Sequence, residues 1–185
     1  MKYLIVGLGN VGPEYELSRH NAGFLVLDRL AAREKVNFVP SKLASTAIFR
    51  HRGKSVHLIK PSTFMNLSGK AVNYWKHKLQ IPLENLLIIV DDIALPFGKL
   101  RLRSSGSSAG HNGLTHIEQA IGTRDYCRLR MGIGSNFNKG EQIDYVLSRF
   151  DPGEIKTLDP ILDEACEIIY SFILQGVNKT MSEFN

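Results

Sequence analysis

The sequence predicts an α/β fold, a single domain over residues 1–185 built on a twisted mixed β-sheet layered by α-helices, and three features carry that prediction. Strand-like apolar runs alternate with segments of helical spacing along the chain. Leu86–Val90 reads LLIIV, a run suited to a strand buried on both faces in the middle of a sheet. Ser45–Phe49 and Ser55–Lys60 are β-like runs joined by His51-Arg52-Gly53-Lys54. That pair reads as a hairpin, so the sheet is mixed rather than purely parallel.

Taken in order, Tyr3–Val6 is an apolar run that delivers the chain into Gly7, Gly9 and Gly12, and the loop beyond carries Asn10, Tyr15, Arg19, His20 and Asn21. Asn21 is placed to cap a helix whose apolar positions are Phe24, Leu27, Leu30 and Ala31. After the hairpin, Pro61 ends the strand and opens the loop to Asn66, and Ser68–Leu79 reads as a helix with Ala71, Val72, Trp75 and Leu79 on one face. Asp91 and Asp92 follow the apolar strand directly. Lys99–Arg103 alternates cations with Leu100 and Leu102, which gives a strand with one cationic face.

Ser104–Gly110 is a Ser/Gly loop, His111-Asn112-Gly113 opens a helix that stops at Gly122, and Tyr126–Ile133 is a further strand with Arg128 and Arg130 on one face. The polar stretch 136–145 is a candidate lid, leading into a short helix at Gln142–Leu147. Asp151-Pro152-Gly153-Glu154 is a helix start, and Ile155, Leu158, Leu162, Ala165, Ile169 and Phe172 lay one stripe on the core. Pro160 is expected to kink or restart this helix and Gly176 to end it.

Composition narrows the function classes. Apolar content of 43% and charged content of 22% are those of a globular protein, and no apolar run is long enough to span a bilayer. Met1 leads straight into a strand, and Cys127 and Cys166 fit no zinc, redox or disulfide spacing, so a cytoplasmic protein without metal or cofactor is expected. A formal charge of +5 admits a polyanionic partner or a mildly basic enzyme.

Three motifs compete for the chemistry. Gly7–Gly12 satisfies GxGxxG, but Pro13–Asn21 lacks helical spacing and no acid stands near Val36–Val39, which opposes a dinucleotide site. Gly106–Gly110 satisfies the GxSxG of a serine esterase, with Ser108 as nucleophile, yet no histidine follows His116 to complete a triad. The third set is dispersed: Asn10, His20, Asn66, Asp91, His111 and Asn112, all in loops or at strand ends. It offers a histidine base, a carboxylate to hold it and neutral amides, a set suited to hydrolysis by water. Asn66 and Asn112 serve equally well as helix caps, and Asp91 as a strand-end acid.

With GLGNVGPEY and SRHNAG, KPSTFMNLSGKAV, VDDIALPFGKLRLR, GHNGLTHI and RLRMGIG in this order, nearly the whole chain resembles the bacterial-type peptidyl-tRNA hydrolase family. The resemblance implies hydrolysis of the ester joining a peptide, or an N-blocked amino acid, to tRNA. It makes His20 the general base and Asp91 its support, and it assigns the peptide end and the ester to Asn10, Asn66 and Asn112. Tyr15 and Phe64 match tRNA-contacting positions, and Arg103 and Arg130 match a phosphate clamp. His111 falls to the site wall. The partner implied is peptidyl-tRNA, with no protein partner and a monomer expected; the alternative class is a tRNA-binding module without hydrolysis. Val11, Ala94 and the serine-rich Ser104–Ser108 depart from the family's pattern at the rim.

Overall fold

A computed structural model of the protein describes residues 1–185. In chain order its elements are β1 (Lys2–Gly7), α1 (Ala22–Arg33), β2 (Val39–Ser41), β3 (Ala44–His51), β4 (Lys54–Pro61), α2 (Ser68–Lys78) and β5 (Leu86–Asp92). There follow β6 (Leu100–Arg103), α3 (Asn112–Ile121), β7 (Cys127–Gly132), α4 (Gln142–Leu147), α5 (Pro152–Ile155) and α6 (Leu158–Phe184). All seven strands join one sheet in the order β2-β3-β4-β1-β5-β7-β6. The pairs β1–β4, β1–β5 and β5–β7 are parallel, whereas β2–β3, β3–β4 and β6–β7 are antiparallel. The expected mixed α/β sheet is present.

Side-chain parity along the inner strands creates two cores. Tyr3, Ile5, Leu87 and Ile89 pack toward α1 and α6, while Leu4, Val6, Leu86, Ile88 and Val90 pack toward α2 and α3. Every residue of β5 is buried, as its unbroken apolar run requires of a strand covered on both faces. The hairpin turns on Arg52 (φ 46°) and Gly53 (φ 81°), two consecutive left-handed residues that match the twist of paired strands.

The start of α1 and both bounds of α2, α3 and α4 were legible to within a residue or two. Pro160 sits in the first turn of α6, where its missing N–H leaves no bond unmade, so the helix restarts there. Gly176 (φ 84°, ψ 173°) interrupts the helix as expected, but the chain resumes helical geometry to Phe184 instead of stopping. The amide of Asn185 then accepts from the Leu102 N–H and donates to its carbonyl, both at 2.9 Å. Those are the free backbone groups of edge strand β6. The three-residue strand β2 has no sequence signal of its own; pairing with β3 creates it.

Two expectations need correction. Asn21 precedes α1 but makes no side-chain capping bond, because its amide is used elsewhere. Arg128 does not belong to an exposed cationic face: it is fully buried, with its guanidinium 4.1 Å from the Tyr126 ring centroid and donating to the Arg124 carbonyl at 2.8 Å. Burial lowers its pKa from the usual arginine value.

Candidate active site

The site forms where β1 and β5 end and α1 and α3 begin. The first turn of α1 lies directly on the end of β1: a Cβ on Gly7 would stand 2.3 Å from the Gly23 carbonyl oxygen, and one on Gly23 would stand 2.4 Å from the Leu8 nitrogen. This approach brings Asn21 against the loop after β1. Its Oδ1 accepts from the Asn10 N–H at 2.8 Å and its Nδ2 donates to the Asn10 carbonyl at 2.9 Å. The Asn10 side chain in turn accepts from the Met65 N–H at 2.9 Å through its own Oδ1. With that oxygen committed, the group Asn10 can offer a ligand is its Nδ2, a donor.

His20 lies in a short 3-10 turn (Arg19–Asn21) beside a buried Arg19. That guanidinium donates to the Ser148 hydroxyl at 2.6 Å, the Arg149 carbonyl at 2.7 Å and Glu154 at 2.7 Å, fixing the turn against the link between α4 and α5.

Asp91, the sixth residue of β5, is buried and shared between two histidines. His20 Nδ1 is 3.0 and 2.9 Å from its two oxygens, and His111 Nε2 is 2.9 Å from Oδ1. His111 is also the N-cap of α3, its Nδ1 accepting from the N–H groups of Gly113 (3.1 Å) and Leu114 (3.4 Å). An Nδ1 that accepts requires Nε2 to carry the proton, so His111 donates to Asp91. The carboxylate therefore accepts an N–H from His111, and a neutral His20 that donates its Nδ1–H to the same carboxylate keeps Nε2 as a free acceptor. Burial pushes the Asp91 pKa up, but the imidazoles of His111 and then His20 outweigh it and hold the carboxyl well below the ordinary range. The ligand atoms of His20, Asp91 and His111 lie within 4.8 Å of one another, yet mutual hydrogen bonds and the cap already occupy three of the four ring nitrogens.

His20, Asp91, His111, Asn112 and Arg130 line one cleft, which Gln142, Ile143 and Val146 of α4 wall on the far side. The candidate-lid stretch thus ends in the helix that faces His20. Arg130 Nε is 3.0 Å from Asp92 Oδ2, while Asp92 Oδ1 accepts from the Ala94 N–H at 2.8 Å. Asn10 opens instead on a separate hollow with Phe24, Asp28 and Lys60. Tyr15 is half-buried in the loop after β1, Phe64 is 69% exposed, Asn66 is exposed, and Arg103 lies on edge strand β6; none of these four lines either hollow. Ser108 borders the cleft, but its hydroxyl bonds to no histidine, and both cleft imidazoles turn to Asp91.

Sequence reasoning left His111 as wall, and it is a direct partner of Asp91. The hint was local, a histidine immediately before a helix start. The role of Asn21 and the burial of Arg19 have no such signal, because their partners lie 11 and about 130 residues away.

The model of the family described as peptidyl-tRNA hydrolase matches residues 4–185. A peptidyl-tRNA hydrolase of Bacteroides fragilis is 57% identical over 185 residues, covering 100% of this chain and 99% of that protein. One of Phocaeicola vulgatus is 55% identical over the same shares. The crystal structure of peptidyl-tRNA hydrolase from Acinetobacter baumannii aligns with a TM-score of 0.93 at 33% identity, over 99% of this chain and 94% of that one. On this full-length agreement, in which the matched region holds the paired histidines and their aspartate, the chain belongs to the peptidyl-tRNA hydrolase family.

Proposed function

We propose that the protein hydrolyses the ester between peptide and tRNA in peptidyl-tRNA, with His20 as general base. The observation that carries the mechanism is the shared carboxylate: Asp91 takes an N–H from both His20 and His111. His20 Nε2 removes a proton from water as the water oxygen attacks the ester carbonyl. Asp91 stabilises the imidazolium so formed, and the proton then passes to the departing ribose oxygen. No covalent intermediate is required. Asn112, at the cleft, and Asn10, through Nδ2, donate to carbonyl oxygens of the peptide end, with Asn66 on the adjoining loop. A carbonyl accepts such a bond and a free ammonium does not, which favours a blocked amino end.

Tyr15 and Phe64 offer aromatic faces to the terminal nucleotide, and Arg103 and Arg130 hold a phosphate. The chain works in this reading as one domain over residues 1–185 and as a monomer in the cytoplasm. No helix is long and apolar enough to cross a membrane. Sedimentation at about the chain mass of 20.7 kDa is the expected outcome for the monomer.

The test is release of amino acid from N-acetylaminoacyl-tRNA and from free aminoacyl-tRNA. Wild type should cleave the acetylated substrate selectively, and His20→Ala should lose turnover while still binding tRNA. Equal cleavage of both substrates, or an active variant, would defeat the mechanism. Ser108→Ala should remain active, since an esterase nucleophile could not be removed without loss of activity.

A further inference from the structure

The charge of the chain is divided very unevenly. Residues 35–83 contain nine of the 23 Lys and Arg and none of the 18 Asp and Glu, leaving fourteen cations against eighteen acids elsewhere. This acid-free segment folds into β2, β3, β4 and α2, which form one edge of the sheet and the helix beside it. Arg103 lies at the opposite edge, on β6. The His20 and Asp91 site, at the ends of the central strands β1 and β5, stands between the two.

Within the segment only Lys60 has an ion-pair partner, Asp28 at 2.6 Å. Lys70, Tyr74 and Lys78 recur at spacing four along α2, so they stand in one row on the helix surface. Lys42 joins that row from the turn between β2 and β3, held there by a 2.9 Å hydrogen bond from the Trp75 indole to the Lys42 carbonyl. The Lys42 and Lys78 ammoniums lie 4.8 and 5.6 Å from the Tyr74 ring centroid. Lys42, Lys70 and Lys78 are all exposed. The row spans about 12 Å along the helix at 1.5 Å per residue. It begins at Lys70, six residues after the exposed Phe64 in the loop that joins β4 to α2.

A flat ring among cations without carboxylate partners suits a nucleic-acid backbone: the ammoniums meet phosphates and the ring meets a base or sugar. An acidic protein would have use for the charges but not for their arrangement around an aromatic face. We propose that Lys42, Lys70, Tyr74 and Lys78 form a second RNA-contacting surface, across the site from Arg103, which binds the sugar-phosphate backbone of the tRNA moiety. The identity of the RNA rests on the peptidyl-tRNA reading above.

The experiment measures binding of deacylated tRNA to the full chain as a function of salt, for wild type, for the triple variant Lys42→Gln/Lys70→Gln/Lys78→Gln, and for a charge-matched control, Lys2→Gln/Lys156→Gln/Lys179→Gln. All six lysines are exposed, so each variant should fold, with thermal unfolding as the check. The first variant should reduce the slope of log K against log salt by about 2 to 3, and weaken binding on the order of a hundredfold at about 0.1 M salt. Tyr74→Leu should weaken binding with the slope retained. An unchanged slope in the α2 variant, or an equal loss in the control, overturns the proposal. So does a variant whose only change is lost self-association, which would make this face an interface between copies. If wild type failed to cleave N-acetylaminoacyl-tRNA, the hydrolase reading would fall, while the slopes with deacylated tRNA would still decide the surface.

Discussion

His111 connects fold to chemistry through its two ring nitrogens, one capping α3 and the other donating to Asp91. His111→Ala should therefore lower stability by roughly 2 kcal/mol, about half from the lost cap and half from the buried bond. It should reduce hydrolysis less than His20→Ala, because His20 keeps its own bond to Asp91; denaturant midpoints and turnover measure the two effects separately. Asp91 supplies a pH prediction. A carboxyl held below its ordinary pKa contributes stability that is full above the unfolded value of about 3.9 and is lost as pH falls through the lower folded value. The stability gap between wild type and Asp91→Asn should persist down to about pH 4 and shrink in stronger acid. Acid titration of both proteins by circular dichroism provides the comparison. Both candidate catalytic residues were legible in the sequence, since a histidine in a loop and an acid at a strand end are local facts. The second histidine on the same carboxylate was not, because it requires the starts of α1 and α3 to meet.

The elements hold those residues through two long-range fastenings. Gly7 and Gly23 let α1 rest on β1, and Gly23→Ala would force its Cβ against the Leu8 nitrogen at 2.4 Å and the Ile89 carbonyl oxygen at 2.5 Å. Such overpacking against backbone should cost about 1–3 kcal/mol and lower turnover, since the same contact positions Asn21 and Asn10. Thermal unfolding and N-acetylaminoacyl-tRNA cleavage should fall together. Arg19 is the other fastening, with three bonds to Ser148, Arg149 and Glu154. Arg19→Met should speed amide hydrogen exchange through residues 142–151 while leaving the middle of α6 protected. Equal protection in both proteins would mean that the α4–α5 link is held by its own packing. At this scale the helices were readable because spacing and stop signals are local, as in α2 with Ala71, Val72 and Trp75 on its buried face. β2 and the helical turns beyond Gly176 escaped because tertiary partners decide them.

Across the whole molecule, burial governs the two cysteines as it governs the cores. Cys127 and Cys166 lie on the α1 and α6 side of the sheet, and burial pushes both thiols up to about 11. Neither should react with a thiol reagent near pH 8 in the folded protein, and both should react once it is unfolded, where the ordinary value is about 8.5. A count of labelled thiols by mass spectrometry checks this. The raised values also mean that the two thiols' contribution to stability is full below about 8.5 and declines as pH climbs toward 11. What the sequence by itself determined is the α/β order of elements, the family resemblance and the candidate residues His20, Asp91 and the asparagines, because periodicity, turn chemistry and motif order are properties of neighbouring residues. Only the tertiary structure decided that Arg128 is buried while Arg130 reaches the cleft. It also decided that Asn21 holds Asn10 instead of capping a helix, and that one carboxylate serves two histidines. Each of these depends on which distant groups compete for the same hydrogen bond or the same buried space, and that competition exists only once the chain has closed on itself.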